Sequence, residues 1–293
     1  MTVTTAENVE KVKEFYQDQP STSQRKAAKI LDIGYSSLRK IMDSQLKLFL
    51  YKIQVHQPLS DYDITRRLEF ANDMFQLIET KQIDPKKIFF TDEAHFHLDG
   101  YVNKQNYRHW GTEQPHLAIA RSLHPLRVTV WCAITYGQII GPIFITKTID
   151  RINYREDILE NFFRQIRQKK MIDGYWFQQD GARPHRTPEN LSRIAEVFGD
   201  RIIGLDALEE TGGGITWPPY SADMTVCDYF LWGCVKDKVY QDQFENLEQL
   251  KDRIKQVIDE IPVEQINSAM DNFLIRLKHL ITIEGKHFEN LIN

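Results

Sequence analysis

Nineteen consecutive residues, from Val128 to Thr146, carry no charge. Length alone would suit a membrane-crossing helix. However, Tyr136-Gly137 divides the stretch into two apolar runs, 128–134 and 139–145, and Gly141-Pro142 interrupts the second. β-Branched and aromatic residues dominate both runs, so the pattern predicts a buried β-hairpin turning at Tyr136-Gly137. Residues 1–19 are polar and charged, with no apolar core of a signal peptide, and the chain reads as soluble with no membrane partner. Its 293 residues, 42% hydrophobic and 27% charged, suffice for one large domain and one small one. That composition excludes intrinsic disorder, collagen repeats and a disulfide-stapled miniprotein. Cys132, Cys227 and Cys234 form an odd set without a C-x-x-C pair, which suits a reducing, intracellular setting.

The charge is unevenly spread. Between Pro20 and Val55 stand seven basic residues (Arg25, Lys26, Lys29, Arg39, Lys40, Lys47, Lys52) against Asp32 and Asp43. This segment is +5 while the whole chain is −4, leaving −9 on the remainder. Apolar spacing over 6–18, capping oxygens at Ser21-Thr22-Ser23, a helix over 23–31, a turn at Asp32–Gly34 and a helix over Tyr35–Asp43 predict a small all-α helix–turn–helix domain. A basic module on an acidic body points to DNA. We place this domain at 1–56, a linker helix at 57–80 and the main domain at 81–293.

The main domain reads as strands over 87–92, 107–110 and the hairpin, then helix 153–170, strand 175–180, helix 188–197 and strand 201–205. Helices over about 226–239, 246–260 and 263–282 follow. This is a mixed α/β (α+β) order. Two strands deliver aspartates at their C-terminal ends, Asp92 and Asp180, and a third, Asp228, opens a helix. Carboxylate oxygens in such an arrangement suit a pair of hard divalent cations working on a phosphodiester. With 41 acidic residues in the chain, Glu93, Asp99 and Asp223 are equally eligible on spacing alone.

Three ordered blocks narrow the choice. Phe89-Phe90-Thr91-Asp92-Glu93-Ala94-His95-Phe96 with Tyr101–Tyr107, then Trp176-Phe177-Gln178-Gln179-Asp180-Gly181-Ala182-Arg183-Pro184-His185, and then Trp217–Gly233 resemble the catalytic blocks of Tc1/mariner transposases, most nearly the insect mariner-like branch. The resemblance implies an RNase H-like catalytic domain preceded by the helix–turn–helix domain. It implies an Asp–Asp–Asp triad at Asp92, Asp180 and Asp228, which would hold Mg²⁺ or Mn²⁺, as two ions. By the same resemblance Asp223 is a cap or turn residue. The implied enzyme is a DNA endonuclease and strand transferase that cuts double-stranded DNA at terminal inverted repeats and joins 3′-hydroxyls to a TA target. A homodimer in the nucleus is the corresponding expectation.

Departures from the family pattern are also legible. The interval from Asp180 to Asp228 is 48 residues, with the surplus over better-known branches in Ala207–Ile215, which reads as a loop that can swell without moving the strands. Ala222 and Val226 stand where the third block usually has prolines, which would loosen the placement of Asp228. Asp32 stands in the turn where relatives carry glycine, and is expected to keep the left-handed backbone at some strain. Relatives carry two helix–turn–helix modules; this sequence starts just before the counterpart of the second, so weaker repeat recognition is expected. Residues 52–59 match the inter-domain linker that helps pair subunits. Arg25, Lys26, Ser36, Ser37, Arg39 and Lys40 are the candidate DNA contacts of the small domain, and Arg183 is one in the main domain. His95 and His97 read as a packed or surface pair, Gly212–Gly214 as a flexible stretch, and Cys227 as a packed thiol. The alternative to an enzyme is a decayed or domesticated transposase-derived protein that binds DNA through residues 20–55 without catalysis.

Overall fold

A computed structural model of the chain describes residues 5–20, 22–49, 58–99 and 126–288. The expected strand at 107–110, the second half of the first block at 101–107 and most of the subunit-pairing linker lie outside the described residues. The chain divides into two compact units, Met1–Val55 and His56–Asn293.

The small unit holds helices α1 (Ala6–Asp18), α2 (Gln24–Ile30) and α3 (Tyr35–Lys40), the last running into a π-helical turn at Ile41–Gln45. Thr5 caps α1 and Ser23 caps α2, each side-chain oxygen accepting from a first-turn amide. Asp32 takes φ +51° between α2 and α3, so the turn keeps its left-handed residue, and the Ile33 amide closes it on Ala28 O at 3.0 Å. Val12, Ala27, Ala28, Ile33, Leu38, Ile41 and Met42 are buried together.

The large unit is built on a five-stranded sheet of order β3-β2-β1-β4-β5. Strands β1 (Ile88–His97), β2 (Arg127–Thr135) and β3 (Gln138–Ile145) are antiparallel; β4 (Trp176–Gln178) and β5 (Ile202–Ile203) continue the sheet in parallel. The β2–β3 turn is Tyr136-Gly137, where Gly137 takes φ +85°. Both faces of the sheet are covered. Helices α4 (Asp61–Glu79), α9 (Trp232–Val239), α10 (Leu247–Asp259) and α11 (Val263–Thr282) pack with Ile88, Phe90, Val130 and Cys132 on one side. On the other, the π-helical turn Tyr154–Leu159 that follows α5 (Arg151–Asn153), together with α6 (Glu160–Gln168), α7 (Pro188–Phe198) and the short α8 (Ala207–Thr211), packs with Phe89, Trp131, Ala133 and Phe177. Burial on both faces explains why the hairpin is apolar throughout instead of alternating.

Three expectations change. β1 does not stop at Asp92: its parallel pairing with β4 ends at Phe90↔Gln178, but its antiparallel pairing with β2 continues to His97↔Arg127. Polar residues ended the apolar run in the sequence, yet they alternate with buried Ala94 and Phe96. Helix α4 belongs to the large unit, where Phe70, Ala71 and Met74 enter the core. The segment 207–215 is no plain loop: α8 occupies part of it, and Ile215 bridges to Ile203.

Candidate active site

Asp92 and Glu93 are neighbours in β1 and therefore project from opposite faces of the sheet. Asp92 turns toward α9, where the Trp232 indole donates to Oδ2 at 2.7 Å. Its carboxyl is held well above the ordinary carboxylate range, by burial first and then by the charges of Asp228 and Glu93; the Trp232 and Glu93 donors oppose this. Asp180 stands two residues beyond β4, half-exposed. Its Oδ1 accepts from the Ala182 amide at 3.0 Å and meets His185 Nδ1 at 2.6 Å. Burial alone would raise this carboxyl, but His185 and the Ala182 amide bring it below its ordinary value.

Asp228 sits in a π-helical turn, Cys227–Leu231, that runs directly into α9. Val226, in one of the lost proline positions, is buried and holds φ −61° and ψ −27° at the entry to that turn. Packing thus supplies the backbone angle that a proline ring would have fixed. Asp92, Asp180 and Asp228 all line one cleft of about 320 Å³, walled by Trp217, Pro218, Pro219 and Tyr220. At its floor Thr91 Oγ1 donates to Gln178 O at 2.7 Å, tying β1 to β4. Among the described residues no three His, Cys, Asp or Glu side chains already close on one metal-sized point. The three aspartates share the cleft, while Asp92 and Asp180 are each tied to a protein donor.

His185 lies behind Asp180, 4% exposed. Its Nδ1 faces Asp180 and its Nε2 lies 3.2 Å from Glu93 Oε1. Burial disfavours the charged ring, but the two carboxylates outweigh it and push the pKa up to about 10. The ring stacks on Tyr154, with centroids 4.2 Å apart; Tyr154 is itself in a π-helical turn, Tyr154–Leu159. The Tyr154 hydroxyl donates to Gln179 Oε1 at 2.8 Å, and Gln179 Nε2 donates to His185 O at 3.0 Å.

Asp223 lies in the single 3₁₀ turn Ala222–Met224, in line with the turn residue expected, but its side chain has a further role. It is a buried ion-pair partner: Arg67 of α4, fully buried, reaches Asp223 Oδ1 at 2.9 Å and Oδ2 at 2.5 Å. Arg67 also donates to Tyr220 O, Ser221 Oγ and Gly285 O, and Arg276 donates to Asp223 O at 2.7 Å. This network fixes the cleft wall that leads to Asp228. The sequence held no sign of a partner 156 residues upstream. His185, Tyr154 and Trp232 likewise had no role assigned from sequence, although His185 stood in the second block, and Glu93 was read only as one more acid eligible on spacing.

The other candidates lie elsewhere. Arg183 is exposed on the turn after Asp180. Asp99 is exposed beyond the end of β1. His95 is exposed, with Nδ1 2.9 Å from Thr129 Oγ1, and His97 is half-buried. In the small unit Arg25, Lys26, Ser36, Arg39 and Lys40 are exposed and Ser37 is half-buried; Arg39 Nε lies 3.4 Å from Asp43.

No protein-family profile matches the chain. It is similar to the Tc3 transposase of Caenorhabditis elegans, with 25% identity over 222 residues, covering 75% of this chain and 61% of that protein. It is also similar to the Tcb2 transposase of Caenorhabditis briggsae, with 28% identity over 159 residues, covering 54% of this chain and 52% of that protein. The matches thus span between half and two thirds of those relatives. Among solved structures, the Mos1 transposase paired-end complex with the left transposon end superposes with a TM-score of 0.73 at 16% identity, over 96% of this chain and 80% of that one. The catalytic domain of Mos1 mariner transposase gives 0.59 at 15% identity, over 80% of this chain and 100% of that one. The fold of the large unit is accordingly α/β and RNase H-like.

Proposed function

We propose that this chain is a Tc1/mariner transposase and that the cleft is the active site of a DNA-cleaving and strand-transferring enzyme, with Asp92, Asp180 and Asp228 as its acidic triad. The substrates are the ends of a transposable element and a TA target; two copies acting together, in the nucleus, suit a reaction that needs two ends. Arg25, Lys26, Ser36, Ser37, Arg39 and Lys40 contact DNA through the small unit, and Arg183 contacts it beside the cleft. The observation that carries this reading is the gathering of the three aspartates on one cleft, where burial first and then the charges of Asp228 and Glu93 hold the Asp92 carboxyl well above its ordinary range. Such crowding of like charge around Asp92 is what a divalent cation would relieve.

The donors fit Mg²⁺ or Mn²⁺, which take carboxylate oxygens, and relatives of this fold include a Mos1 mariner paired-end complex with Mn. When bound as a pair, such ions would activate a water or a 3′-hydroxyl and offset charge building at phosphorus. The chain's own residues do the positioning. Trp232 holds one oxygen of Asp92, and His185 with the Ala182 amide holds one of Asp180. Trp217, Pro218 and Pro219 give the cleft a stiff wall, and the Arg67–Asp223 pair anchors that wall from behind.

The test is nicking of double-stranded DNA by the purified chain in Mg²⁺ or Mn²⁺, beside Asp180→Asn. Metal-dependent nicking lost in Asp180→Asn supports the triad; equal nicking in both sinks it. A catalytically silent DNA-binding chain is the second reading, favoured by the absence, among the described residues, of side chains already closed on a metal-sized point. No nicking in either protein, with salt-dependent DNA binding retained, would select it.

A further inference from the structure

Glu93 follows Asp92 in sequence but serves the other side of the sheet. Its Oε1 lies 3.2 Å from His185 Nε2, and the same ring meets Asp180 Oδ1 through Nδ1 at 2.6 Å. The imidazole is 4% exposed and fixed on its flat face by Tyr154 at 4.2 Å. Asp180 Oδ1 is taken up by this ring and by the Ala182 amide, and among the described residues Asp180 Oδ2 has no protein partner. Thus a chain of three side chains joins β1 to the segment after β4, where the strand pairing has already ended at Phe90↔Gln178.

We propose that Glu93 is a positioning residue for Asp180, acting through His185 to hold one carboxylate oxygen and leave the other for the cleft. This rests on the reading of Asp180 as a metal-holding acid. Groups that orient a metal-binding carboxylate typically change metal affinity by about 10- to 100-fold when removed. The structure gives Glu93 that place although its sequence position would attach it to Asp92. A merely structural Glu93 would change the thermal midpoint without changing how the folded protein takes up metal.

The experiment is Mn²⁺ binding by the full chain, followed by electron paramagnetic resonance without DNA, in parallel with the Mn²⁺ dependence of nicking. We expect Glu93→Gln to raise the half-saturating Mn²⁺ about tenfold in both assays, with a smaller fall in maximal rate and a thermal midpoint near that of the parent. Glu93→Asp should fall between the two. In a His185→Asn background, which keeps a donor toward Asp180 and loses the contact with Glu93, Glu93→Gln should add nothing. His185→Gln serves as the background if His185→Asn does not fold. An unchanged Mn²⁺ midpoint in Glu93→Gln overturns the proposal. So does the same fold-loss with and without His185, because Glu93 would then act by its charge alone. Undiminished Mn²⁺ binding in Asp180→Asn would remove the metal site itself; impaired binding there with an indifferent Glu93→Gln removes only the relay.

Discussion

The indole of Trp232 donates to Asp92 Oδ2 at 2.7 Å, across 140 residues of chain. Trp232 is buried on the face of the sheet where Asp92 projects, so the donor end of the bond is shielded from water while Asp92 still borders the cleft. Trp232→Phe keeps the ring and removes the donor. We expect a weaker Mg²⁺ requirement curve, shifted about tenfold to higher metal, and a loss of about 1 kcal/mol in stability. Metal titration of nicking and urea unfolding check the two halves; an unshifted titration would remove Trp232 from the site.

Asp92 should also weigh on stability. A carboxyl raised by burial and by neighbouring charge favours folding only while it is protonated, so its contribution fades as pH rises through its raised pKa. Asp92→Asn should therefore unfold at higher temperature than the parent near pH 8 without divalent metal, and lose nicking altogether. Saturating Mg²⁺ should narrow the thermal gap. A less stable variant under metal-free conditions would contradict the charge crowding.

His185 titrates with the same sign. Its folded pKa, about 10, lies above the ordinary histidine value, so the stability from its two carboxylate partners is full below about pH 6.5 and drains away toward pH 10. Urea midpoints from pH 6 to 10 should fall in the parent and fall less in His185→Gln. Parallel curves would show the ring to be neutral throughout.

Arg67 is fully buried and its partner Asp223 is 4% exposed, so removing either leaves a charge stranded. Asp223→Asn or Arg67→Met should cost about 3–5 kcal/mol, read from chemical unfolding. A loss near zero would place the pair in contact with water.

On the small unit, Arg39→Ala and Lys40→Ala should each weaken binding to any DNA sequence and lower the steepness of its salt dependence by about one ion. Unchanged slopes would take α3 out of the interface.

Much of this was legible from local pattern. The uncharged stretch gave the hairpin because β-branched runs broken by Tyr136-Gly137 suit strands buried on both faces. Ser23 and Asp32 marked a cap and a left-handed turn by their own chemistry. The three aspartates were placed by resemblance, and they share a cleft. What was not legible depends on distant pairing: the length of β1 rested on its antiparallel partner, and Asp223 could not be read without Arg67. The opposite facing of Asp92 and Glu93 follows from strand alternation, but only once β1 is known to run through both.

The contacts of Arg67 reach residues as far as 218 positions downstream, at Gly285 O. Gly285 itself takes φ +83° against Ile64 O, where a β-carbon would collide. During synthesis α4 leaves the ribosome long before any of these partners exist. Its guanidinium must wait in water until almost the entire polypeptide has emerged, so the corner that shapes the cleft is among the last to set.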